Sequence, residues 1–166
     1  MGVPVHGDSE GESGFTIVLY QPEIPPNTGS IGRLCVATKT PLHLIRPLGF
    51  SLEDRFLKRA GLDYWRHVEL IVWDSFEDYL AAYPHTRRIF TSARKGRLFY
   101  TIDFQEGDHL IFGPETRGFP KEILDQNLEN LATIPIWGPV RSLNLANTVG
   151  IVLFEALRQT RFKNRL

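Results

Sequence analysis

The stretch from Gly138 to Gln159, GPVRSLNLANTVGIVLFEALRQ, runs from a polar, hydroxyl- and amide-rich loop straight into an apolar helix. Counting from Leu145, apolar side chains fall at Leu145, Val149, Val152, Leu153, Ala156 and Leu157, the i, i+3, i+4 spacing of a helix with one buried stripe. Arg141, Ser142 and Asn144 therefore stand at the helix N-terminus, where free backbone N–H groups and the positive end of the dipole attract a carboxylate or a phosphate. The loop reads as a site and the helix as its anchor.

Upstream of this helix, short β-rich runs alternate with helical ones. Strands are expected over Thr16–Tyr20, Leu42–Arg46, Val68–Trp73, Arg88–Thr91, His109–Phe112 and Ala132–Ile136. Helices are expected after Asn27, over Leu52–Ala60, between about Phe76 and Ala82, between Lys121 and Asn127, and after Asn144. Such alternation predicts an α/β fold, a mostly parallel sheet flanked by helices. Ligands in these sheets bind beyond the carboxyl ends of the strands. A chain of 166 residues fits one domain, expected over residues 15–166, with the Gly-, Ser- and acid-rich Met1–Gly14 as a disordered leader.

The composition, 42% hydrophobic and 23% charged, is that of an ordinary globular protein. No apolar run approaches the ~18 residues that span a bilayer, and the N-terminus lacks the order of a signal peptide, so no membrane association and a cytoplasmic location are expected. The single cysteine, Cys35, excludes an intramolecular disulfide and reads as a small core residue. No CxxC or HExxH spacing offers a metal cage, so a metal-free site is expected. The net charge of zero hides an asymmetry: residues 1–14 hold Asp8, Glu10 and Glu12 and no Lys or Arg, so the remainder is mildly basic. Its cations cluster at Arg87, Arg88, Arg94, Lys95 and Arg97 and again at Arg158, Arg161, Lys163 and Arg165, patches that suit a phosphate backbone or a solvated surface.

Two further polar loops each follow an expected strand and open an expected helix. In Gln21-Pro-Glu-Ile-Pro-Pro-Asn-Thr-Gly-Ser-Ile-Gly-Arg33 the prolines stiffen the chain, and Asn27 is a candidate N-cap for a helix carrying Arg33 about two turns in. In Phe112-Gly-Pro-Glu-Thr-Arg-Gly-Phe-Pro120 the glycines permit close backbone approach, and Glu115 and Arg117 set opposite charges two residues apart. Neither loop matches GxGxxG or GxxxxGK[ST], which disfavours a dinucleotide or nucleoside-triphosphate site.

In this order and spacing the motifs resemble those of the SPOUT class of S-adenosylmethionine-dependent RNA methyltransferases. They are most similar to the small single-domain tRNA (cytidine/uridine) 2′-O-methyltransferases of the wobble nucleotide. The resemblance is carried by Leu19-Tyr-Gln-Pro-Glu-Ile-Pro-Pro-Asn-Thr-Gly, Leu42-His-Leu-Ile-Arg-Pro-Leu-Gly-Phe50, Lys58-Arg-Ala-Gly-Leu-Asp-Tyr64, Phe112-Gly-Pro-Glu-Thr-Arg-Gly118 and Arg141-Ser-Leu-Asn-Leu-Ala-Asn147. It implies a C-terminal trefoil knot, which general priors on chain topology argue against. It also implies a homodimer with sites near the subunit interface, and tRNA as partner. Position by position, it places cofactor contacts at Ser92, Gly113, Glu115, Ile134, Ser142 and Leu143. It places the catalytic set at Arg33, Asn27, Glu115, Ser142 and Asn144. Contacts to the RNA phosphates are expected at Arg33, Arg46, which stands where relatives often carry an acid, Arg94, Arg117 and the C-terminal basic cluster. Phe154 stands where close relatives have a tyrosine.

Methyl transfer from a sulfonium to a ribose hydroxyl is an in-line displacement that needs the nucleophile held roughly 3–3.5 Å from the methyl carbon. A guanidinium, with pKa above ~12, is a poor base. Arg33 is therefore expected to stabilise the developing alkoxide, with water or a neighbouring oxygen taking the proton. Rival readings are 2′-O-methylation of another tRNA position or of rRNA, a non-catalytic RNA-binding module on the same fold, and a small-molecule nucleotide enzyme on a flavodoxin-like sheet.

Overall fold

A computed structural model describes residues 13–53 and 64–161. Seven strands form one sheet in the order β3-β2-β1-β6-β4-β7-β5, and every neighbouring pair is parallel. The strands are β1 (Thr16–Tyr20), β2 (Leu42–Ile45), β3 (Leu70–Trp73), β4 (Arg88–Thr91), β5 (Arg97–Leu98), β6 (His109–Phe112) and β7 (Leu131–Thr133). Among the described residues the α-helices are α1 (Pro25–Thr38), α2 (Phe76–Ala82), α3 (Lys121–Gln126) and α4 (Leu145–Thr160).

The central strands β1, β2 and β6 are buried at every residue, which is why they read as continuous apolar runs rather than alternating ones. Alternation reappears in which face each side chain meets. Ile17, Leu19, Leu42, Leu44, Leu110 and Phe112 pack with Ile31 and Cys35 of α1 and with Val149, Val152, Leu153 and Ala156 of α4. Val18, Tyr20, Ile45, Phe90 and Ile111 point the other way, onto Tyr79 of α2 and onto Phe119. The six apolar positions read from the α4 sequence are the six that are buried.

The chain runs outward from β1 to β2 and β3, then crosses to the other half of the sheet. β1 and β6 are neighbours across this reversal, with Ile17 opposite Leu110 and Leu19 opposite Phe112. Loops leaving their carboxyl ends must meet, and a crevice forms there.

Several expectations need correction. Asn27 is not the cap of α1: the helix starts at Pro25, and its N-cap residue, Ile24, makes no side-chain cap bond. Proline suits the first helical turn, where its missing N–H has no partner to lose, and this draws the start upstream. β3 starts at Leu70 rather than Val68, and β7 covers Leu131–Thr133 rather than Ala132–Ile136. β5, for which the sequence predicts no strand and whose Arg97 reads only as part of a basic cluster, pairs through two exposed residues with β7. The described chain begins at Ser13, inside the expected leader, where Ser13 is buried and its N–H donates to the Lys39 carbonyl at 3.3 Å. The helix expected over Leu52–Ala60 and the motif Lys58–Tyr64 fall mostly outside the described residues, as do Lys163 and Arg165.

Candidate active site

A cleft of about 470 Å³ opens beyond the carboxyl ends of β4, β6 and β7. Thr91 is the last residue of β4, Ser92 and Arg94 come from the loop that follows it, Gly113 to Phe119 from the loop after β6, and Ile134, Arg141, Ser142 and Leu143 from the segment between β7 and α4. All six positions expected to contact the cofactor (Ser92, Gly113, Glu115, Ile134, Ser142 and Leu143) line this one cleft, together with Arg94 and Arg117.

The loop after β6 is tightly folded. Gly118, at φ +67°, donates its N–H to the Pro114 carbonyl at 3.1 Å. A side chain at Gly113 would lie 3.0 Å from the Phe119 nitrogen and 3.2 Å from the Gly118 carbonyl carbon, so the turn closes this tightly against the strand end without displacement because the residue is glycine. The Ser92 N–H donates to the Ala132 carbonyl at 2.9 Å, tying the loop after β4 to β7.

Behind the cleft, the loops after β1 and β6 clasp each other. The Glu115 carboxylate accepts from the Glu23 N–H at 2.8 Å, the Ile24 N–H at 3.1 Å and Asn27 Nδ2 at 3.4 Å. From 91 residues away it supplies an acceptor to the Ile24 N–H at the start of α1, where Ile24 offers no side-chain cap and the helix dipole favours negative charge. In return, Glu23 Oε2 accepts from the Thr116 N–H at 3.0 Å and from its hydroxyl at 2.7 Å. Arg117 donates to Gln21 Oε1 at 2.5 Å. The Thr116 hydroxyl bond, with the Thr116 N–H and the Arg117 charge, holds the Glu23 carboxyl below its usual pKa against the opposing effect of burial.

The clasp continues into α4. Asn144 Nδ2 donates to Asn27 Oδ1 at 2.9 Å, while Asn144 Oδ1 caps α4 by accepting from the Ala146 and Asn147 N–H groups at 2.9 and 3.3 Å. Glu115, Asn27 and Asn144 thus form one chain of hydrogen bonds that fixes two helix N-termini to the loop after β6. Asn27 is 8% exposed, so its amide has little water to fall back on.

Arg33 and Arg46 stand apart from this group. Arg33 is exposed on α1, its guanidinium carbon 5.7 Å from the centre of the Tyr64 ring, and it does not line the cleft. Tyr64 is fixed by donating its hydroxyl to the Gly29 carbonyl at 2.8 Å. Burial raises its pKa while the charge of Arg33 opposes the rise. Arg46 lines a separate depression with Phe50 and Asp74, and pairs with Asp74 at 3.6 Å. Sequence reasoning missed Gln21, Glu23 and Thr116 as partners in the clasp. The only sign of them was their placement within two motifs already singled out.

The cleft suits a ligand that is part flat and apolar, part charged. Ile134, Leu143 and Leu145 offer apolar packing, the Gly113–Glu115 and Ser142 backbone can read polar edges, and Arg94, Lys95 and Arg141 can meet a carboxylate. Thr91 Oγ1, on the same wall, is buried with no hydrogen-bond partner among the described residues, an atom that a bound polar group would satisfy. This donor set fits S-adenosylmethionine. Among the described residues no group of three or more His, Cys, Asp or Glu side chains is gathered to hold a metal ion, and no helix is long and apolar enough to cross a membrane.

A sequence profile of the SpoU rRNA Methylase family matches residues 14–154. The chain is 54% identical over 150 residues to the tRNA (cytidine(34)-2'-O)-methyltransferase of Methylovorus glucosotrophus (strain SIP3-4), covering 89% of this chain and 97% of that protein. A solved structure described as giving structural insights into the 2-OH methylation of C/U34 on tRNA matches with a TM-score of 0.84 at 52% identity, covering 90% of this chain and 97% of that one. An AdoMet-bound rRNA methyltransferase from Sinorhizobium meliloti matches with a TM-score of 0.80 at 28% identity, covering 92% of this chain and 58% of that one.

Proposed function

The chain belongs to the SpoU rRNA methylase family, and on that premise we propose that it transfers a methyl group from S-adenosylmethionine to the ribose 2′-oxygen of the wobble nucleotide, cytidine or uridine 34, of tRNA. The observation that carries the reading is the convergence of Ser92, Gly113, Glu115, Ile134, Ser142 and Leu143 on one cleft at the strand carboxyl ends. Relatives of nearly the same length, named for this reaction, support it.

Bound S-adenosylmethionine supplies an electrophilic methyl group. The chain's own task is placement. Ile134, Leu143 and Leu145 take the apolar surface of the cofactor and exclude water from it, and the Gly113–Glu115 loop offers backbone groups to its polar edges. The clasp keeps that loop rigid, because Glu115 is bound to the start of α1 and Asn144 to both Asn27 and α4. Arg33 meets the ribose and its phosphate and stabilises the alkoxide as the 2′-hydroxyl gives its proton to water or a neighbouring oxygen. Arg94 and Arg117 contact the RNA backbone.

Arg33 stands outside the cleft of its own chain, so the reading includes a homodimer in which the Arg33 of one protomer serves the cleft of the other. Exposed Ile151 and Phe154 on the outer face of α4 supply apolar surface for such a contact. The reading also includes the trefoil knot of the family, in keeping with β6 and β7 each inserted between strands earlier in sequence. A cytoplasmic location follows from a tRNA substrate.

The test is transfer of labelled methyl from S-adenosylmethionine to total tRNA, with the product mapped by nuclease digestion and mass spectrometry. Label on the ribose of nucleotide 34 supports the reading, and label on rRNA or another position overturns it. Mixing an inactive Arg33→Ala chain with an inactive Ser142→Trp chain, whose cleft is filled, should restore activity in the heterodimer. No restoration would refute the shared site.

A further inference from the structure

Trp137 is 92% exposed, more than any other large hydrophobic residue among the described ones. It lies between β7 and α4, in Ile136-Trp-Gly-Pro-Val-Arg141, and the residues at both ends of that stretch, Ile136 and Arg141, line the cleft. The ring is therefore held at the rim. Its chain neighbours are open too: among the described residues nothing lies within 4 Å of where a side chain on Gly138 would be, and Val140 is itself 58% exposed. Nor is the loop slack, since the Val140 N–H donates to the Gly138 carbonyl at 2.9 Å across a tight turn containing Pro139.

An indole presented whole to water calls for an apolar, flat occupant. Charge narrows the choice. Arg94, Lys95 and Arg141 line the cleft at whose rim it stands, and an aromatic face together with cations is the composition that holds single-stranded nucleic acid, bases on the ring and phosphates on the cations.

We propose that Trp137 is a stacking platform for an unpaired nucleobase of the substrate RNA, next to the nucleotide whose ribose enters the cleft. The inference rests on the tRNA-methylation reading and deepens it, making Trp137 a positioning residue for the RNA and not a group that touches the reacting atoms. Cations alone attract any polyanion. A ring at this rim additionally selects RNA whose bases are free to splay out, as in a loop, over a continuous duplex.

The experiment compares the full-length chain with Trp137→Ala and Trp137→Phe in two assays. In the first, methyl transfer is measured against tRNA and S-adenosylmethionine concentration. A base stacked on an aromatic ring predicts a KM for tRNA raised about 5- to 150-fold in Trp137→Ala, with kcat and the KM for S-adenosylmethionine held within about two-fold. Trp137→Phe restores most of the loss. In the second, indole emission is followed as tRNA is added, and the difference between wild type and Trp137→Phe isolates this ring from Trp65 and Trp73. Stacking quenches that difference signal, and a continuous RNA duplex at equal phosphate concentration does not.

An unchanged KM in Trp137→Ala, or a difference signal indifferent to tRNA, overturns the proposal. So does sedimentation showing that Trp137→Ala weakens self-association, since the ring would then be covered by a second copy of the chain. If the wild type methylates no tRNA, the functional reading fails by itself, and the emission titration still decides whether Trp137 stacks on loop RNA.

Discussion

Glu115→Ala should lower stability out of proportion to an exposed acid, because this carboxylate caps a helix from another part of the chain. It accepts three hydrogen bonds, two from the backbone N–H groups of Glu23 and Ile24 and one from Asn27 Nδ2. A hydrogen bond to a charged group contributes about 1.5–3 kcal/mol when shielded. Ile24 is 40% exposed, so water replaces part of what is lost. The three bonds together are then worth about 2 kcal/mol, to which the dipole of α1 adds about 0.5 kcal/mol. Glu115→Gln keeps one acceptor oxygen but turns an NH2 group toward N–H donors, and should cost about 1 kcal/mol. For a domain of this length, 1 kcal/mol shifts Tm by about 2–4 °C. Thermal unfolding followed by circular dichroism should then fall by roughly 5–10 °C in Glu115→Ala and 2–4 °C in Glu115→Gln. Exposed Glu129, changed to Gln, serves as the control and should move Tm by less than about 1 °C. Glu115→Gln melting at or above wild type would show that the clasp does not stabilise the fold, and the account of α1 capping would fall.

Asn144→Ala removes both the cap of α4 and the donor to Asn27, costing about 1–2 kcal/mol, whereas Asn144→Asp keeps the cap and loses only the donor; an aspartate variant as unstable as the alanine one in urea titration would refute this division. Acid should loosen the clasp. The Thr116 hydrogen bonds depress the Glu23 carboxyl, and those of Arg158 depress that of Glu155, so the unfolded chain binds these protons first; the stabilisation is complete above the ordinary value of 4.5 and is lost as pH falls through the lower folded values. Urea midpoints between pH 6 and roughly pH 3 should show this loss, reduced in Glu23→Gln, and an equal loss in that variant would count against it. Burial pushes the Cys35 thiol up to about 12, so the native chain should ignore a disulfide reagent that labels it once unfolded; fast labelling of folded protein would place the residue outside the core. Binding of tRNA should weaken steeply with salt, and Arg94→Ala should reduce the slope of log K against log salt by about 1; an unchanged slope removes Arg94 from the phosphate contacts.

What could be read in advance, and what could not, divides along a physical line. The helix after Asn144 was legible because its six buried positions repeat at the helical period within one short stretch, and β1, β2 and β6 were legible because both faces of each are covered. β5 was not, since Arg97 and Leu98 are both exposed and gain strand character only from β7, against which Gly96 folds at φ +131° with no room for a side chain. Asn27 misled for a related reason. Asn-Thr-Gly has the chemistry of a cap, but Pro25 and Pro26 draw the helix start upstream, and the amide is engaged instead by Glu115 and Asn144, 88 and 117 residues away. The clasp between Gln21, Glu23, Glu115, Thr116 and Arg117 consists of residues that were all in view, yet no spacing along the chain pairs them. Strand order does. Once β1 and β6 are neighbours running the same way, the loops leaving their ends must touch, and two glutamates, each facing the other loop's N–H groups, are the arrangement that leaves neither set unpaired. Which residue types a site contains can therefore be read locally, while their distances follow only from the strand order.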